Sequence, residues 1–281
     1  MYVFDLDKLQ TGDILLSKTD ARLSNIMEKK TGCRYHHAML YVGESSYIHS
    51  DKGPGVQAGN VMRLIFENDD DAIILRIKDS NNKKIIDAIE KSARVKIGTE
   101  YSFTEARKTI SEPNYESFEP NRQFCTRLIA QSYHDGGLRI VENPDYCSPQ
   151  DLINSIQLKT ISDVLKVGSE KQVAYAKEEN TVLDRQERIH NEILQNARIL
   201  TKSDIQTLDQ LTDFVINNRE WDEQLTKIIT ESGYINMWQW EAEKNPDHYD
   251  ILKFIESYPK KAWYYVRKQL IEIAQRNLER F

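Results

Sequence analysis

In Phe124-Cys125-Thr126-Arg127-Leu128-Ile129-Ala130-Gln131-Ser132-Tyr133, the residues Cys125, Leu128, Ile129 and Ser132 recur at helical offsets, and Gly136-Gly137 closes the run. The spacing predicts a helix that begins at Cys125. A thiol at a helix start is helped twice: unpaired backbone N–H groups point at it, and the helix dipole favours an anion. The thiolate is the reactive form of cysteine, so this position suits a nucleophile.

Working outward, Ala38-Met39-Leu40-Tyr41-Val42 is an apolar run closed by Gly43, and Tyr47-Ile48-His49 follows after a four-residue turn. The two read as a β-hairpin. His37 sits at the start of its first strand and His49 on its second. A rigid strand can hold the His37 imidazole within reach of a thiol, and His49 can pair across to fix its tautomer. That is a nucleophile, base and orienter set. Against it stand blander readings: a cysteine in an apolar helix as a small core residue, and a strand histidine as a hydrogen-bonded structural group. Cys33 and Cys147, at a helix stop and before a helix cap, keep the bland reading.

Further strands are expected at Asp13–Leu16, Val61–Phe66 and Ala72–Ile77, and helices at Ala21–Lys30 and Lys83–Ile97. Ser148-Pro149-Gln150-Asp151 marks a helix start, with serine as cap, proline in the first turn and an acid three residues on. Gly53-Pro54-Gly55 reads as a turn between strands. The chain changes character near residue 165. Nine of the eleven glycines, five of the seven prolines and all three cysteines precede it, and all four tryptophans follow it. Loss of turn residues predicts longer helices. Val182, Ile189, Ile193, Ala197 and Leu200 form one stripe; Ile205, Leu208, Leu211 and Val215 form another. Gly168–Asn180 is polar, a linker or the start of an exposed helix. Asn245-Pro246 opens a further helix, and Trp263, Val266, Leu270, Ile273 and Phe281 line the last. The expectation is an α+β domain over residues 1–164 with a small antiparallel sheet, and an all-α helical domain over residues 165–281.

Composition narrows the function. The 281 residues are 40% hydrophobic and 29% charged, with a net charge of −6. A nucleic-acid partner is not expected of such a balance, nor is docking on an anionic membrane by bulk charge. No run approaches the ~18 apolar residues of a membrane span. The first residues lack the basic and apolar regions of a signal peptide. Three cysteines make a poor disulfide scaffold, so a cytoplasmic, reducing location is the expectation. No glycine-rich phosphate loop is present. Cys33, His36, His37, His49 and Cys125 have zinc-ligand chemistry, but Cys33-Arg34-Tyr35-His36-His37 is not a recognised zinc spacing. No metal and no cofactor is expected.

Five motifs then fall in order: Gly12-Asp13-Ile14-Leu15-Leu16; His37-Ala38-Met39-Leu40-Tyr41-Val42-Gly43; Tyr47-Ile48-His49 with Gly55-Val56; Phe124-Cys125-Thr126-Arg127-Leu128-Ile129; and Ser148-Pro149-Gln150-Asp151-Leu152. Together, over about residues 8 to 158, this set resembles the permuted papain-like amidases of the YiiX/YaeF type. Those belong to the NlpC-like superfamily, which also holds the lecithin–retinol acyltransferase-like enzymes. The resemblance implies a circularly permuted papain-like core in which the histidine strand precedes the cysteine helix. It implies Cys125 as nucleophile and His37 as general base, with His49 at the third polar position. Many YiiX-type members carry glutamate there, and the acyltransferase-like relatives commonly carry histidine. Thr126 stands where serine is frequent.

The resulting expectation is a cysteine hydrolase, an amidase or thiol protease. It would cleave an amide bond in a small peptide, a cell-wall-derived fragment or a lipid-linked molecule. His37 either takes the Cys125 proton on demand or holds a thiolate–imidazolium pair. The Cys125 N–H serves as one oxyanion donor, and Tyr101 is a candidate oxyanion or substrate contact. Two other functions compete: a thiol-dependent lipid acyltransferase or thioesterase, and a non-catalytic lipid- or peptide-binding module. Residues 165–281 are a candidate surface for a protein partner or self-association.

Overall fold

The computed structural model describes residues 1–18, 32–78, 82–111, 119–244 and 246. The helices expected at 21–30 and beyond Asn245 lie outside the described residues. The described chain divides into two compact units, 1–228 and 229–281.

In the first unit, six strands form one antiparallel sheet: β2 (Ile14–Ser17), β3 (His37–Gly43), β4 (Ser46–Asp51), β5 (Gly55–Asn60), β6 (Ala72–Ile77) and β7 (Leu158–Ile161), in the spatial order β5-β4-β3-β2-β6-β7. A two-stranded sheet joins β1 (Tyr2–Phe4) to β8 (Leu165–Val167). The register follows from side-chain alternation, because a one-residue slip would move every apolar residue to the wrong face. In β2, Ile14 and Leu16 belong to one buried cluster and Leu15 to another; in β3, Ala38 and Leu40 face one way and Met39 and Tyr41 the other. Both faces of the sheet are therefore covered.

One face packs under two helices, α1 (Lys83–Arg94) and α3 (Cys125–Asp135), through Ile89, Ala93, Leu128, Ile129 and Tyr133. Each fully buried Leu or Ile there contributes about 1.5–3 kcal/mol. The opposite face packs against Phe4, Val61, Phe66, Val164 and Leu165. Between α1 and α3 runs α2 (Phe103–Ser111), and α4 (Pro149–Ile153) follows α3. The start of α4 carries a capping box: the Ser148 hydroxyl accepts from Asp151 N–H, and the Asp151 carboxylate accepts from Ser148 N–H.

Two local expectations need correction. Val61–Phe66 is not a strand. The Asn60 side chain accepts from Met62 N–H and turns the chain into a 3₁₀ helix over Val61–Arg63, leaving Phe66 in an isolated bridge to Tyr2. Gly55–Asn60, a run with two glycines and Val56 as its one strong strand former, is instead a full strand on β4. The polar stretch after Gly168 holds a short helix, α5 (Glu170–Ala176), capped by Ser169.

The helices α6 (Val182–Thr201) and α7 (Leu208–Asn217) belong to the first compact unit. The α6 stripe buries Ile189, Ile193, Leu194 and Ala197. Gln57 on β5 donates to Asn191 on α6 at 3.1 Å. Gln206 accepts from Glu100 N–H at 2.9 Å, and Arg122 pairs with both Glu100 and Asp204. These contacts tie the segment around Tyr101 to the C-terminal helices. A further helix, α8, runs over Asp222–Glu231; in the second unit, α9 (Met237–Lys244) leaves Trp238 exposed.

Candidate active site

Cys125 is the first residue of α3. Five described helices (α1, α4, α5, α6 and α7) start on a residue whose side chain caps a backbone N–H: Asn82, Ser148, Ser169, Thr181 and Thr207. The cysteine helix starts on Phe124, in extended conformation and with no side-chain cap. Its first N–H groups are thus left for another acceptor. The backbone N–H groups of Cys125 and Thr126, like that of Ala38, act on the thiol electrostatically.

The thiol lies against the start of β3. Cys125 Sγ is 3.9 Å from the carbonyl oxygen of His36. The sulfur thus rests on the peptide group that precedes His37. Neither nitrogen of His37 is a hydrogen-bond partner of the sulfur in this state. Catalytic contacts of free enzymes are commonly longer than in complexes.

His37 is instead bound to His49. Its Nε2 lies 2.9 Å from His49 Nδ1, and the two rings stand edge to face with centroids 5.1 Å apart. With Nε2 engaged, the nitrogen left is Nδ1, which is the one nearest the His37 backbone. Tyr47 packs edge-on against the other side of His49, at 5.1 Å.

The electrostatics favour an uncharged resting pair. Burial pushes the Cys125 thiol up, opposed by the N–H groups of Ala38, Thr126 and Cys125 itself. Burial pushes His37 down, opposed by the Asp51 carboxylate. Burial, with the like charge of His37, brings His49 down to about 4. Near neutral pH both directions place the proton on sulfur and leave His37 a free base. Tyr101 is pushed up by burial and by the negative charges of a Cys125 thiolate and of Asp51, so it stays an O–H donor. It is held by a bridge to Gln123, two residues before the cysteine.

A second cluster, not foreseen from the sequence, holds the cysteine helix in place. Arg127 and Glu105 are both 0% exposed and pair at 3.0 Å. Arg127 also donates to the carbonyl oxygens of Asp145, Glu119 and Arg122. Its guanidinium lies 4.9 Å from the Phe124 ring and 5.1 Å from that of Tyr146, whose hydroxyl binds Glu105. A buried charge needs such partners. The only signal for it in the sequence is an arginine on the apolar side of a helix, two residues past the cysteine. Cys33 and Cys147 are buried, and neither is in a disulfide. Cys147 is pushed up by burial, and its thiol contacts the Thr126 carbonyl oxygen at 3.4 Å.

Among the described residues, no group of three or more His, Cys, Asp or Glu side chains is placed to hold a metal ion. No described helix is long and apolar enough to cross a membrane.

A cysteine at an uncapped helix start, packed on the first residues of a strand that carries a paired imidazole, sits here on a mixed α and β scaffold with the histidine strand first in the chain. This is the order of a permuted papain-like fold. The chain belongs to the permuted papain-like amidase family of YaeF/YiiX type, C92, whose family model matches residues 8–162. Among solved structures, the chain is similar to the metalloprotein yiiX from Escherichia coli O157:H7, at 17% identity and a TM-score of 0.43, over 54% of this chain and 96% of that one. No curated protein matches it.

Proposed function

We propose that this chain is a cysteine hydrolase that cleaves a peptide-like amide bond through a thioester acyl-enzyme, with Cys125 as nucleophile, His37 as general base and His49 as its orienter. The observation that carries this reading is the 2.9 Å His37–His49 contact, made while Cys125 Sγ rests on the backbone beside His37.

The tautomers follow from the roles. His37 accepts at Nδ1, so its Nε2 bears the proton and donates to His49 Nδ1; His49 then carries its own proton on Nε2. On attack, the Cys125 proton passes to His37 Nδ1 and the sulfur bonds to the amide carbonyl carbon. The carbonyl oxygen takes the negative charge near the Cys125 N–H, with the Tyr101 hydroxyl as a second donor. His37 then protonates the leaving amine as the C–N bond breaks. Water, deprotonated by His37, releases the acid and restores the thiol. Because the resting pair is uncharged, proton transfer accompanies attack instead of preceding it.

Alkylation with iodoacetamide, followed by peptide mass spectrometry, tests the reading. Cys125 should react at least about tenfold faster than Cys33 and Cys147, and His37→Ala should slow Cys125 alone. Turnover of a panel of N-acyl peptide amides should vanish in Cys125→Ala. Equal reactivity of the three thiols, or a Cys125 rate that ignores His37→Ala, rules the mechanism out.

A further inference from the structure

A histidine pair leaves a gap in this chemistry. When His37 takes the thiol proton it becomes a partly buried cation, and its partner His49 is a neutral ring that can accept a hydrogen bond but brings no negative charge. A buried cation without a counter-charge is costly. The sheet itself supplies a carboxylate. The β3–β4 ladder runs Tyr41 to Tyr47, Leu40 to Ile48 and Met39 to His49. Two residues beyond this last pair along each strand come His37 and Asp51, so the count of alternation brings both to the same end of the β3–β4 pair. Residues opposite one another share a face, with Cβ atoms typically about 4.5–5.5 Å apart. Asp51 is also two residues from His49 on the same strand, hence on the same face as both imidazoles. It closes β4, where it pairs with Gly55 of β5, and one of its oxygens accepts from Lys52 N–H at 2.7 Å, which fixes the carboxyl group.

We propose that Asp51 is a positioning residue of the candidate site: its carboxylate, held across the strand pair from His37, supplies the negative charge that a histidine at position 49 does not. The inference rests on the reading of Cys125 and His37 given above. The Asp51 charge acts on His37, His49, Cys125, Tyr101 and Tyr47. The other charged and titratable neighbours are Lys52, next in the chain, and Glu187 on α6, which acts on Tyr47 and itself feels Asp51 and Asp184. Asp51 is exposed, and salt at high concentration should weaken its action.

The sign is definite. The carboxylate favours the protonated form of His37, so removing it lowers the affinity of His37 for the proton. In Asp51→Asn the side-chain amide still accepts from Lys52 N–H, and only the charge is lost. Two measurements read the effect. Histidine side-chain NMR titration of the full chain should show the His37–His49 pair titrating about 0.5–1 pH unit lower than in the parent, a shift that shrinks in 1 M salt and is reversed in Asp51→Glu. Acylation of Cys125 by p-nitrophenyl acetate should show its acid limb moving to lower pH by the same amount, while its plateau falls roughly 3- to 10-fold. A merely structural role would lower the plateau and leave the limb in place. An unmoved or upward-moved pair in the NMR titration overturns the proposal, whether or not the ester reacts. A parent chain that never acylates Cys125 instead counts against the hydrolase reading and leaves the NMR result to decide on Asp51.

Discussion

The part-buried histidine pair links the stability of this protein to pH. His49 titrates near 6.5 in an unfolded chain and is brought down to about 4 in the folded one by burial and by the His37 charge. A base with a lowered folded value is neutral in the native state. Its contribution is therefore fully present above pH 6.5 and is lost as the pH falls toward 4, because the unfolded chain binds the proton and the folded chain resists it. Each pH unit between those values is worth about 1.4 kcal/mol, which gives about 3 kcal/mol in all and about 2.5 kcal/mol by pH 4.5. His37, lowered in the same direction, adds to the trend. The perturbation is His49→Gln, whose side-chain carbonyl can still accept from His37 Nε2–H and which does not titrate. Urea unfolding followed by circular dichroism, from pH 7.5 to 4.5, supplies the two stability curves. Carboxylate titrations are common to both chains and cancel in the difference. The variant should gain about 2 kcal/mol or more relative to the parent across this range. Parallel curves would mean that His49 is solvated, and the account of an uncharged, part-buried pair would fall with them.

Two further substitutions probe what holds the site together. Arg127→Ala removes an ion-pair partner of the Glu105 carboxylate, which is 0% exposed; among the described residues Lys108 at 3.2 Å and the Tyr146 hydroxyl still reach it. It should cost about 3 kcal/mol or more, a fall in Tm of roughly 6–12 °C, and replacing Glu105 by Gln in the same chain should recover part of it; a loss under about 1 kcal/mol would show that the pair is not buried in solution. Gly55 has φ +76°, and a Cβ there would run into the carbonyl oxygen of Thr99, which accepts from Val56 N–H at 2.8 Å. Gly55→Ala should therefore lose at least about 2 kcal/mol and slow Cys125 alkylation by shifting the segment that carries Tyr101, whereas Gly53→Ala, with φ +94° but open space around it, should show only the smaller backbone cost.

Much of the α+β fold is legible in the chain because its signals are local. Leu15 and Met39 alternate with Ile14, Leu16, Ala38 and Leu40 at period two, and the structure sorts them onto the two faces of the sheet. Ser148 and Asp151 sit three apart, the distance over which a capping box closes. Where local signals are weak, the reading fails. Gly55–Asn60 carries two glycines and two amide side chains, yet it becomes a strand because β4 offers it a free edge along its whole length. Val61–Phe66 has the apolar residues of a strand, but the Asn60 cap turns it first. In the candidate site, Cys125, His37 and His49 stand out as residue types placed at element starts and on paired strands. Arg127 and Glu105 do not, since their pairing depends on two helices 22 residues apart meeting in the interior.

By itself, then, the sequence determined the elements whose signals are strong and local: periodicity, caps and turns act over a few residues, and no distant partner is needed to read them. Only the tertiary structure decided the state of the chemistry. The proton of Cys125, the tautomer of His37 and the reach of Asp51 depend on how much water the packed sheet and helices exclude, and on which peptide groups and carboxylates they bring within a few ångströms of the sulfur and the two rings. Those are sums over neighbours far apart along the chain, and no short window of sequence contains them.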